Sequence, residues 1–111
     1  MLINGERVDS VSKELIEVFN PSTHKKIDEV PRGRAEDINR AVEFAREGYR
    51  INKCIPVKER AEYLKKTSDL MLENLEDLRM TMVQENGKSW SWAEFEVRKS
   101  AEILSTIAET A

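Results

Sequence analysis

The hydrophobic period of this chain changes once, from 2 to 3.6 at Ala35, and that switch constrains the fold more than any other feature. Before it, "LINGERV" sets Asn4-Gly5 between short apolar stretches, and Asn-Gly is the dipeptide that best tolerates the two positive φ values of a type I′ hairpin turn. "LIEVF" at 15–19 and "KIDEV" at 26–30 then flank "NPSTHK", whose Pro, Asn, Ser and Thr are turn formers. Residues 1–31 are predicted to form β-hairpins.

After the switch the pattern is helical. Ile38, Ala41, Val42, Ala45 and Tyr49 share one face of a first helix, and Glu36 and Asp37 stand in its first turn, where the positive end of the dipole favours them. Arg34 occupies the capping position normally held by Ser, Thr, Asp or Asn. Pro56 is predicted to open a second helix at its first helical position, with Val57, Ala61, Leu64, Ser68, Met71 and Leu72 turned inward. Asn74 and Asp77 resemble a capping pair that restarts the chain as a third helix, with Leu75, Leu78 and Met82 inside. "ENGK" ends it, because Gly87 takes a left-handed conformation without a Cβ penalty and Lys88 faces the negative helix end. From about Trp90 a fourth helix carries two stripes: Ala93, Val97, Ala101, Leu104 and Ala108 on one, Trp92, Glu96, Ser100, Ile103 and Ile107 on the other. The expected class is therefore α+β: β-hairpins followed by about four helices, forming one partial domain over 1–111, with a hairpin region at 1–31 and a helical region at 35–111.

Composition narrows the function. With 18 basic and 21 acidic residues spread without blocks, the net charge of −3 offers no footprint for nucleic acid or anionic lipid. No apolar run approaches the roughly 20 residues of a membrane span. The lone Cys54 and a start without an export pattern predict a cytoplasmic chain. Gly5, Gly33, Gly48 and Gly87 are too scattered for a phosphate-binding loop, His24 has no nucleophilic partner, and no carboxylate pair stands out as an acid–base couple. From the residues alone no catalytic, cofactor-binding or metal site is expected.

The order of the segments points further. "INGERVDS", "IEVFNPSTHKKIDEVPRGRAEDINRAVEFAREGYR", "PVKERAEYLKKTSDLMLENLEDL" and "ENGKSWSWAEFEVRKSAEIL" together resemble the N-terminal portion of the NAD(P)-dependent aldehyde dehydrogenase superfamily over nearly the whole chain. Ser89 replaces a proline frequent in the family after "GK", and "TIA" at 106–108 replaces a tyrosine-rich triplet. The resemblance implies the N-terminal part of an α/β, Rossmann-like cofactor-binding domain. It also implies a parent reaction that oxidises an aldehyde to a carboxylic acid through a cysteine thiohemiacetal, with hydride passed to NAD or NADP. The family's catalytic cysteine, general-base glutamate, oxyanion-hole asparagine and cofactor-binding residues belong to later segments, so neither Cys54 nor Lys88 inherits a role. The isolated chain is expected to be inactive and to bind no cofactor.

The family also places the helix after "GK" at the mouth of the substrate tunnel, which transfers to Glu96 and Ser100, with Trp92 and Ile103 as neighbours. In the parent fold a large parallel sheet and a second domain cover these helices. Without them, Trp92, Phe95, Ile103 and Ile107 lose their cover, which predicts a homo-oligomer formed through the last helix, or docking against the remainder of an aldehyde dehydrogenase chain. The alternative is a stand-alone helical interaction module without chemistry.

Overall fold

The computed structural model describes residues 1–110. They divide into two compact units, residues 1–19 with 26–54, and residues 20–25 with 55 onward.

The first unit begins with strands β1 (Leu2–Ile3) and β2 (Glu6–Arg7), paired antiparallel with Leu2 opposite Arg7 and Ile3 opposite Glu6. The two-residue link is the expected turn: Asn4 and Gly5 have φ of 52° and 78°. Both positive values match the right-handed strand twist. A second antiparallel pair joins β3 (Leu15–Phe19) to β4 (Lys26–Pro31), with a register irregularity at Val18/Phe19. Glu17 lies directly opposite Glu29, a repulsive pairing that Lys26 offsets by bonding to both carboxylates. The Glu29 bond first, then that to Glu17, holds the Lys26 ammonium above its ordinary value.

Helix α1 (Ala35–Asn52) completes this unit. Arg34 stands at its N-cap, as expected. Arg34 contributes no side-chain acceptor, because a guanidinium has none; it donates instead to Glu14 Oε1 at 2.6 Å. The third helical residue does the capping: the Asp37 carboxylate accepts the Arg34 N–H at 2.9 Å and, across 26 residues, the Val11 N–H at 3.1 and 3.3 Å. Asp37 is buried. The apolar face expected to be inward on α1 is open instead, with Ile38 61% and Tyr49 68% exposed, because nothing in this unit packs on it.

The second unit contains α2 (Val57–Glu73), α3 (Leu75–Asn86) and α4 (Trp90–Thr110). Pro56 stands one position before the expected one, at the N-cap of α2, with its carbonyl accepting the Arg60 N–H at 3.1 Å. The break at Asn74 falls where the sequence placed it, yet its side chain does not cap α3. It turns back and donates to the Leu70 carbonyl at 2.8 Å, the same oxygen that accepts the Asn74 backbone N–H at 3.1 Å.

The core of this unit is small and made of small side chains. Ala93, Val97 and Ala101 of α4 are buried, as are Leu75 of α3 and Ser68 of α2. Ser68 Oγ donates to the Ala101 carbonyl at 2.8 Å, so the hydroxyl sits in the interface at the cost of no unmet bond. Val57 and Leu72, expected inside, are 47% and 43% exposed. The alanine-rich stripe of α4 faces α2 and α3; of the other stripe, Trp92, Ile103 and Ile107 face out while Glu96 and Ser100 border α2 and α3.

Candidate functional site

The joint between α3 and α4 organises the most distinctive side chains. Gly87 closes α3 in the left-handed region, φ 68° and ψ 20°, with its N–H donated to the Val83 carbonyl at 3.0 Å. A side chain there would also lack room, since a Cβ would stand 3.0 Å from Cγ of Pro21 in the 20–25 turn. That turn is held by Asn20, whose Oδ1 accepts the N–H groups of Ser22 and Thr23 at 2.9 and 3.1 Å.

Two tryptophans follow within three residues of each other because they serve different surfaces. Trp90 lies under the Arg79 guanidinium, 4.0 Å from its ring centroid, and Arg79 bridges Glu76 and Glu94 at 2.5 Å each. This ties the first turn of α4 to the middle of α3. Trp92 faces outward and tilts on Phe95, with ring centroids 5.2 Å apart and planes at 31°.

Lys88 reaches forward to Glu96, and that bond, with a smaller contribution from Trp92, holds the Glu96 carboxyl below the ordinary glutamate value. Glu94 is lowered too, first by Arg98 at 2.8 Å and then by Arg79. Of the four residues assigned to a tunnel mouth, Glu96 and Ser100 line one shallow pocket of about 220 Å³ with Met71, Leu78, Thr81, Met82 and Val97. Trp92 and Ile103 do not line it; they stand 55% and 49% exposed along the outer stripe. Arg79 and the α2–α3 wall of the pocket were missed in the sequence. Arg79 could have been suspected from its position three residues after Glu76, but its contact with Glu94 lies 15 residues on.

The other candidates stay apart. His24 sits in the hairpin turn at φ 57°, and the exposed Cys54 thiol donates only to the Arg50 carbonyl at 3.5 Å. Among the described residues no group of three or more His, Cys, Asp and Glu could hold a metal ion, and no helix is long and apolar enough to cross a membrane. Among the described residues the left-handed glycines do not form a phosphate cradle. A pyrophosphate cradle needs left-handed glycines opening onto a helix N-terminus. Gly5 instead lies in a hairpin turn, and Gly87 is closed off by Pro21.

Residues 8–111, which begin just after β2, match the aldehyde dehydrogenase family. The chain belongs to that family. Malonate-semialdehyde dehydrogenase 2 of Oceanobacillus iheyensis is 37% identical over 100 residues, covering 90% of this chain and 21% of that protein. The malonate-semialdehyde dehydrogenase of Bacillus cytotoxicus is 40% identical over 102 residues, 92% of this chain and 21% of that one. The structure of NADP-dependent glyceraldehyde-3-phosphate dehydrogenase from Bacillus halodurans, complexed with NADP, superposes with a TM-score of 0.94 at 30% identity, over 97% of this chain and 23% of its own. The α+β arrangement is thus the N-terminal part of an aldehyde dehydrogenase fold, and the chain spans about a fifth of the length of the relatives it matches.

Proposed function

We infer that this chain supplies the N-terminal structural part of an NAD(P)-dependent aldehyde dehydrogenase, whose reaction converts an aldehyde to a carboxylic acid with hydride transfer to NAD or NADP. The observation that carries this reading is the match along nearly the whole chain combined with coverage of only about a fifth of each relative. On this reading the two compact units belong to one partial domain, and the rest of such an enzyme would cover their open faces. A cytoplasmic setting fits the free thiol of Cys54. A stand-alone interaction module would share the same helices, and an intact mass together with the reading frame beyond Ala111 separates the two. A frame running on into a dinucleotide-binding domain and a cysteine motif ends the second reading.

The isolated chain should therefore bind no cofactor and turn over no aldehyde. A ligand at 100 times its dissociation constant stabilises the native state by about 2.7 kcal/mol, a readily visible melting shift. Millimolar NAD or NADP should leave the melting curve unmoved. A reproducible shift, or NADH formed above a protein-free blank, would refute the assignment.

Glu96, Ser100, Trp92 and Ile103 are assigned to the approach to the aldehyde site of the whole enzyme, a reading supported by the shared pocket of Glu96 and Ser100. Introducing Ser100→Trp into the whole enzyme should then raise KM for bulky aldehydes more than for small ones. An equal change for both would make these positions packing residues only.

Without the rest of the chain, the outer stripe of α4 is expected to mediate homo-oligomer formation. Trp92, Phe95, Ile103 and Ile107 are each about half exposed on neighbouring turns, interrupted by charge only at Glu96 and Lys99. Covering such a face is favourable at about 25 cal/mol per Å² before association costs are subtracted. Light scattering behind size exclusion should give a mass above the monomer, and Ile103→Glu with Ile107→Glu should return it to the monomer. A wild-type monomer at micromolar concentration would contradict this.

A further inference from the structure

The sequence contains two Asn-Gly dipeptides, Asn4-Gly5 and Asn86-Gly87, and the fold holds their backbones differently. We propose that Asn4 is a site of spontaneous, backbone-assisted deamidation, and that the helix end around Asn86 holds the second dipeptide back from the same reaction.

The chemistry needs only water. The glycine backbone nitrogen attacks Cγ of the preceding asparagine while hydroxide takes the amide proton. The N–Cγ bond forms, the Cγ–Nδ2 bond breaks, and ammonia leaves with a proton returned from water, closing a five-membered succinimide. Water then opens the ring at either carbonyl. One opening yields aspartate, and the other yields isoaspartate, with the main chain rerouted through the side-chain carbon. Glycine favours the attack because no Cβ stands beside its nitrogen.

At Asn4 the surroundings permit this. Asn4 and Gly5 are both exposed, and nothing lies within 4 Å of where a Cβ on Gly5 would be. Each flanking strand has two residues, and the hairpin is closed at its base by Met1 N to Val8 O at 2.7 Å and Val8 N to Met1 O at 2.9 Å. So short a hairpin opens at little cost, releasing the turn to the geometry the attack requires. At Asn86 the nucleophile is occupied: the Gly87 N–H is bonded to Val83 O at 3.0 Å, and Pro21 sits against Gly87. Reaction there requires unwinding the last turn of α3 and displacing Pro21.

Isoaspartate at position 4 adds a main-chain carbon to a two-residue turn, which no longer closes Leu2 onto Arg7. The test is peptide mapping of the folded chain aged at mildly alkaline pH, with isoaspartate read by isoaspartyl methylation. Conversion should accumulate at residue 4 and lag about tenfold or more at residue 86, the ratio set by local opening. In urea the two sites should convert at similar rates. Aged protein should also show faster hydrogen exchange at the Val8 amide. No conversion at Asn4, equal folded-state rates at both sites, or a ratio unchanged in urea would each overturn the proposal.

Discussion

Asp37→Ala should unfold or nearly unfold the first unit, costing about 2–4 kcal/mol. The carboxylate is buried, 3% exposed, and accepts the backbone N–H groups of Arg34 and Val11. Removing a charged acceptor leaves two part-buried donors unmet, at up to about 1–3 kcal/mol each, and also deletes the favourable charge at the positive end of α1. The unit has little with which to absorb the loss: its buried residues are Ile3, Ser10 and Asp37. Asp37→Asn keeps an oxygen acceptor without the charge and should fall between wild type and Ala. Hydrogen exchange at the Val11 and Arg34 amides reads the effect locally, and urea denaturation reads the total. A change within about 0.5 kcal/mol, the range of ordinary surface substitutions, would show that water replaces the carboxylate without penalty.

Ala101→Leu should cost the second unit a similar amount, about 2–4 kcal/mol, through overpacking and a broken bond together. Ala101 is 1% exposed and Ala93 fully buried, so α2 and α4 approach closely where α4 has only methyl groups to offer. Three additional carbons at Ala101 force the helices apart and pull the Ala101 carbonyl from Ser68 Oγ. Ser68→Ala isolates the second effect and should cost about 1 kcal/mol, the usual net worth of one hydrogen bond. Circular dichroism melts of both variants separate the contributions. An Ala101→Leu chain as stable as wild type would mean that the α2–α4 interface holds slack the packing does not reveal.

Much of the architecture was legible because its causes are local. The Asn4-Gly5 turn, the Gly87 helix end and the restart at Asn74 each depend on residues within one turn of the chain, where steric limits on φ act regardless of what lies elsewhere. The two stripes of α4 were legible for a related reason: a helix repeats every 3.6 residues, so composition alone separates Ala93, Val97 and Ala101 from Trp92, Ile103 and Ile107. The order of these segments was enough to place the chain in its family. Which of two apolar stripes turns inward, however, depends on what packs against it.

The open face of α1 shows where that reasoning stops. Ile38, Val42 and Tyr49 follow the pattern of a buried stripe, yet burial requires a partner, and the first unit supplies none. For the opposite reason, the acceptor that caps α1 was not legible. It comes from inside the helix and also serves Val11, a contact between residues 26 apart that exists only once the chain has returned on itself. Arg79 over Trp90, Ser68 on the Ala101 carbonyl and the pocket beside Glu96 share this dependence: each joins groups that the sequence separates by at least a helix turn and that only packing brings together. Local steric rules and hydrophobic period thus determined the elements and their ends. Tertiary structure decided which faces and polar groups meet, because desolvation and hydrogen bonding act between neighbours in space, whatever their distance along the chain.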